Sequence, residues 1–241
     1  MVHPPILLFD FDGVVLTQKA LEFTALIYKR KSFYNWKNTQ ELRLIDYARL
    51  FEESDSDNRF KALFQAYKAY KPYIPNPLKR FIFFIKFRRT YPKYEIYETL
   101  KPKLKSILER FNSINAPLGI VSNTKESRLL YFRKHLDLDK YFSAYISRDD
   151  TNYRKPHPYP IIKILTKISQ KYNFQINKNN VFFIGDLPTD IVCAHNAGVS
   201  SIALLNGHGT EEGLKEVNPT YILRDISEIT AIEPFKKLLL D

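Results

Sequence analysis

A chain of 241 residues that is 44% hydrophobic and 26% charged has the composition of an ordinary globular protein, which excludes a disordered or fibrous one. Its 37 Lys and Arg against 26 Asp and Glu leave a formal +11, which concentrates anions near the surface and favours phosphorylated partners. A single cysteine, Cys193, rules out an intramolecular disulfide and makes a reducing cytoplasm the simplest compartment.

The opening MVHPPILLFD lacks the charged start and the apolar length of a secretory signal. Its apolar run, residues 6–10, reads as a buried parallel strand ending at Asp10, with Asp12 just beyond. Side chains two apart on an extended segment share a face, so these carboxylates are expected side by side. Two like charges so close call for a cation, a shared proton, or both. A helix cap would explain one Asp but not the second. Gly13 then allows the backbone to turn.

Residues 18–98 carry no strand pattern but several helical stretches, among them Gln40 to Glu53 and Arg59 to Tyr70, broken by the proline cluster KPYIPNP at 71–77. This is too long for one crossover helix. An inserted helical cap is expected over residues 18–91, with a core domain formed by 1–17 and 92–241. On residues 18–98, 17 Lys and Arg against 9 Asp and Glu leave +8, so only +3 belongs to the rest. The run FIFFI at 81–85 is too short to span a bilayer and reads as the buried face of a helix. Lys19, Arg43, Arg49, Lys61, Arg80 and Arg88 are the cationic candidates for contact with an anionic substrate.

Beyond the insertion, helical spacing over 100–114, 125–136, 158–172 and 189–197 alternates with apolar runs at 117–121, 181–185 and 201–205, and a weaker one at 144–147. The order predicts an α/β fold with a doubly wound parallel sheet, whose ligands bind at the carboxyl ends of the strands.

Three further strand ends carry reactive residues. VSNT places Ser122, Asn123 and Thr124 before a helix, where they serve either as a cap or as phosphate-oxygen ligands. YRKPHPYP sets Lys155 beside prolines that restrict the backbone, and an ordinary surface lysine is its alternative. VFFIGDLPTDI adds Asp186 and Asp190, and hard oxygen donors from two strand ends suit Mg²⁺. Zinc fits poorly: His135, His195 and His208 lack ligand spacing and read as surface or packing residues.

In order, DFDGV, VSNT, the lysine of YRKPHP, and GDLPTD resemble the four motifs of the haloacid dehalogenase (HAD) superfamily. The insertion resembles the type 1 cap of its phosphoglycolate phosphatase and β-phosphoglucomutase relatives. The resemblance implies a Rossmannoid core and a Mg²⁺-dependent phosphatase of a small, anionic phosphorylated metabolite, working through an aspartyl phosphate. It implies Asp10 as nucleophile, Asp12 as general acid and base, and Lys155 as the charge neutraliser. Ser122 and Asn123 would serve the substrate phosphate with Lys155. Asp10, Asp12 through its carbonyl, Asp186 and Asp190 would hold the metal. Asp12 argues against dehalogenase and phosphonate-cleaving branches. Val14 keeps a phosphomutase open, while the absence of histidine from residues 18–98 counts against it. A noncatalytic protein holding nucleic acid or an acidic partner through the basic insertion is the alternative from another class.

Overall fold

The computed structural model describes residues 4–30, 64, 67, 68, 70, 71, 74–233 and 235–238. Six strands form one parallel sheet: β1 (Ile6–Phe9), β2 (Leu118–Val121), β3 (Ala144–Ile146), β4 (Val181–Gly185), β5 (Ser200–Leu204) and β6 (Tyr221–Leu223), in the order β3-β2-β1-β4-β5-β6. The chain winds outward from β1 to β3 on one side, then returns to place β4 against the other side of β1. The winding therefore reverses between β1 and β4, and a crevice opens at the carboxyl ends of strands where this happens.

Burial on both faces follows from side-chain alternation along each strand. In β1, Leu7 and Phe9 enter one apolar cluster while Ile6 and Leu8 enter another. The first cluster takes Leu104, Ile107, Leu108 and Phe111 from the helix Leu104–Ser113. It also takes Leu129 and Phe132 from the helix Glu126–His135. The opposite cluster takes Ile161, Ile164, Leu165 and Ile168 from Tyr159–Tyr172, an i, i+3, i+4, i+7 stripe, and Cys193 and Ala194 from Pro188–Ala197. Cys193 is buried there, its thiol donating to the His157 carbonyl, and burial pushes its pKa up to about 12.

The chain divides into two compact units, residues 1–17 with 99–241, and residues 18–98. The return expected at Tyr91–Pro92 falls inside the helix Pro77–Tyr94, which continues through Pro92. Proline removes only one donor, and Arg88, whose carbonyl loses that donor, is exposed together with Arg89. Within the smaller unit the helix Lys19–Arg30 starts on Glu98, whose carboxylate accepts from the backbone N–H groups of Lys19 at 3.2 Å and Ala20 at 2.8 Å. Of the FIFFI run, Phe83 and Phe84 are buried with Phe87, whereas Phe81 and Ile85 are exposed. Successive helical residues rotate by about 100°, so five in a row cannot share one face. Arg80 is buried, donates to the Ile74 carbonyl at 3.2 Å and lies over the Tyr67 ring, so its charge is engaged within its own unit. The helical stretch Gln40 to Glu53, most of Arg59 to Tyr70, and the candidates Arg43, Arg49 and Lys61 lie outside the described residues. No helix among the described residues is long and apolar enough to cross a membrane.

Candidate active site

β1 and β4 run side by side with Phe9 opposite Ile184, so the residues following them emerge together at the crevice. Asp10 continues the ladder by donating its N–H to the Ile184 carbonyl at 2.8 Å. Asp10, Asp186 and Asp190 come together there: all three are buried, and one ligand oxygen from each lies within 4.8 Å of the others. Lys155 reaches the same point from the loop after β3. Its ammonium contacts Asp10 Oδ1 at 2.5 Å and Asp190 Oδ1 at 2.6 Å, with the lysine side chain 4% exposed. Burial alone would lower the lysine pKa. The adjacent Asp10 and Asp190 carboxylates outweigh it and hold Lys155 well above the ordinary lysine range.

Asp190 has two tasks because it stands in the first turn of the helix Pro188–Ala197. Its Oδ2 accepts from the N–H groups of Asp186 at 3.2 Å and Leu187 at 3.0 Å, stabilising the helix start, while Oδ1 meets Lys155. Three buried carboxylates thus meet here, two of them on the Lys155 ammonium and the third, Asp186, taking the His208 N–H and lying within the field of the buried Lys101. That donor set, hard oxygens alone, fits a divalent cation of the Mg²⁺ kind.

Asp12 is not part of this cluster. The chain leaves the ladder after Asp10 and coils into a turn in which Val15 and Leu16 donate to the Phe11 carbonyl, so the shared-face argument does not apply to Asp12. Its carboxylate instead meets Arg128 of the helix Glu126–His135 at 2.8 Å. In the VSNT loop the side chains of Ser122 and Asn123 are both engaged with backbone groups. Ser122 Oγ accepts from the Thr124 N–H at 3.0 Å, a local turn bond, while the helix that follows starts at Glu126 with its N–H on Asp149. The Asn123 carboxamide is turned to the backbone of Lys155, accepting from its N–H at 3.2 Å and donating to its carbonyl at 3.5 Å. Asn123 thus fixes the segment that carries the ammonium.

The loop after β5, residues 205–210, is a further contributor, one that sequence reasoning missed. His208, expected at the surface or in packing, is buried, and its N–H donates to Asp186 Oδ2 at 2.5 Å. Lys101 is also buried and donates to the carbonyls of Gly13 and Asn206, tying this loop to the turn after β1. Burial lowers its pKa to about 8, against the pull of Asp186 and Asp225. A lysine among the many of LKPKLK and a histidine in a glycine-rich loop carry no distinguishing sequence signal.

Gly13 has φ +78°, and a Cβ built on it would overlap Asp186 Oδ2. Gly13→Ala is therefore expected to destabilise the protein by about 2–5 kcal/mol, backbone strain adding to overpacking, and to shift Asp186. Urea unfolding checks this: an unchanged midpoint would mean that the contact relaxes freely.

The chain is 31% identical over 130 residues to the phosphoglycolate phosphatase of Photorhabdus laumondii, covering 54% of this chain and 53% of that protein. It is 29% identical over 130 residues to the phosphoglycolate phosphatase of Escherichia coli K12, covering 54% and 49%. The chain thus spans about half the length of these two relatives. Among solved structures, a predicted phosphoglycolate phosphatase from Haemophilus somnus superposes with a TM-score of 0.66 at 18% identity, covering 96% of this chain and 98% of that one. A haloacid dehalogenase-like family hydrolase from Streptococcus pneumoniae gives 0.60 at 19%, covering 96% and 99%. These two likenesses speak to the fold. The family profile described as haloacid dehalogenase-like hydrolase matches residues 7–204, a span that runs from β1 to the end of β5 and holds every carboxylate of the cluster. The chain belongs to the haloacid dehalogenase-like hydrolase family.

Proposed function

We propose that this protein is a Mg²⁺-dependent phosphatase of small phosphorylated metabolites in the cytoplasm, working through an aspartyl phosphate on Asp10. The observation that carries the reading is the buried ammonium of Lys155 between Asp10 and Asp190, with Asp186 alongside. A structural ion pair needs one carboxylate for one ammonium. Three buried carboxylates gathered at strand ends are costly, and ionisable groups held in this way gather where chemistry is done.

In this reading a carboxylate oxygen of Asp10 attacks phosphorus. An O–P bond forms while the ester P–O bond breaks, its electron pair leaving on the ester oxygen. Asp12, which starts the cycle as the protonated acid, gives that oxygen a proton and the alcohol departs. Asp12, now a carboxylate, takes a proton from water as the water oxygen bonds to phosphorus. The Asp10–phosphorus bond breaks with its electron pair returning to Asp10, releasing inorganic phosphate. Lys155 orients Asp10 and balances charge on the transferring group, with Asn123 holding its backbone. Ser122 supplies a hydroxyl to a phosphate oxygen. Asp10, Asp186 and the Asp12 carbonyl would hold Mg²⁺, with Asp190 directly or through water. The bound cation supplies positive charge that offsets carboxylate repulsion and the negative charge on the phosphate oxygens.

Phosphate release from a panel of phosphoglycolate, sugar phosphates, nucleoside monophosphates and 4-nitrophenyl phosphate tests the reaction and the substrate class together. Turnover that requires Mg²⁺ and stops with a chelator is the expected result. No release by folded protein across the panel would overturn the reading. If that were accompanied by salt-sensitive oligonucleotide binding, a binding role for the basic residues 18–98 would replace it.

A further inference from the structure

Arg128 stands outside every motif of the sequence reading, on the helix that follows VSNT, yet it is tied to the crevice by several contacts. Its Nη1 donates to Asp12 Oδ2 at 2.8 Å and to Thr124 Oγ1 at 3.1 Å. Its guanidinium lies 5.7 Å from the ring centre of Phe11 and 5.2 Å from that of Phe132. The two charged side chains are only 20% and 18% exposed. A surface arginine with a chance partner pivots freely, and such a pair is worth little. Here the ring of the residue beside Asp12 and a ring on arginine's own helix flank the cation, and a hydroxyl fixes the same nitrogen.

We propose that Arg128 is a positioning residue for the Asp12 carboxylate, an inference that rests on the acid–base role given to Asp12 above. A carboxylate held through one oxygen by a guanidinium exchanges its proton through the other. Fixing Oδ2 on Arg128 therefore fixes where Oδ1 points. Arg128 cannot itself supply or take the proton, because its guanidinium stays charged. Its effect on catalysis must pass through Asp12.

That dependence yields a specific signature. An alkoxide leaving group needs a proton as the P–O bond breaks, whereas 4-nitrophenolate, a weak base, departs without one. The ratio kcat/KM reports phosphoryl transfer to Asp10 and excludes the later hydrolysis. In Arg128→Met, kcat/KM for an alkyl phosphate is expected to fall on the order of 10²-fold, the scale of general acid catalysis, and that for 4-nitrophenyl phosphate to fall far less. Arg128→Lys, which keeps the charge and the stem but not the fork, should show the same pattern at smaller amplitude, and it serves if the methionine variant fails to fold. In an Asp12→Asn background, adding Arg128→Met should change kcat/KM no further, because the partner through which it acts is gone.

Equal losses on both esters, or losses that multiply with Asp12→Asn, would overturn the positioning role and leave Arg128 a packing residue. Wild-type protein that releases phosphate from neither ester would overturn the phosphatase reading and this role with it. A wild type active on both, with an unchanged alkyl-to-aryl ratio in the variants, would sink the Arg128 role alone.

Discussion

Replacing Asp10 with Asn is expected to lower phosphate release by about 10⁴-fold or more while the protein stays folded. The carboxamide has nearly the shape of the carboxylate but not the anionic oxygen that bonds to phosphorus. Lys155 keeps its contact with Asp190, 2.6 Å away, so the ammonium is not stranded by the change. Removing one of three neighbouring carboxylates also relieves repulsion within the cluster. Loss of activity should therefore come without a matching loss of stability, which thermal unfolding and a turnover assay on one preparation will measure. Retained turnover would remove Asp10 from the nucleophile role.

Lys155→Met has the opposite profile, damaging both activity and folding. It leaves Asp10 and Asp190 facing each other in a buried place without their cation, a situation that costs about 3–5 kcal/mol when a buried pair is broken from one side. The pH behaviour of the wild type follows from the direction of the lysine shift. Its folded value is raised above the unfolded one, so its contribution is complete below the ordinary lysine range and is lost only as pH climbs through the raised value. Between about pH 6 and pH 9, wild-type stability should not decline on account of this group. Urea unfolding of both proteins checks the difference, and a loss below about 1 kcal/mol would show that the cluster adapts without its ammonium.

The five strands that carry continuous apolar runs were legible because burial on both faces of a parallel sheet leaves an unbroken hydrophobic signature. β6 was not, since its three residues include only one buried side chain, Leu223, at the sheet edge. The short helix Glu211–Glu216 was missed for a similar reason, with Leu214 its one buried residue. Asp10 and Asp186 were readable because each directly follows such a run, Asp190 because it opens the next helix, and Lys155 because it lies in the loop after β3; chain topology alone brings these strand ends together. Side-chain direction is a different matter. Whether Asp12 joins the carboxylates or turns to Arg128 depends on a turn after Asp10 that no periodicity reveals. Asn123 could be named as a polar residue near the site, but its grip on the Lys155 peptide depends on two loops 32 residues apart. The same limit hid Lys101 and His208, whose contacts are made with backbone atoms and leave no mark in composition.

Asp186 lies between Gly13 and Gly207, each so close that a methyl group on either would strike it. The walls of its slot are therefore main chain, with no rotamers to yield and none to re-select. An extra methylene at this position has no room, so glutamate is not a conservative neighbour of aspartate here, although the charge is the same. The reach of this acid is thus gauged by the spacing of two loops, and whatever displaces either loop displaces the oxygen atoms with it.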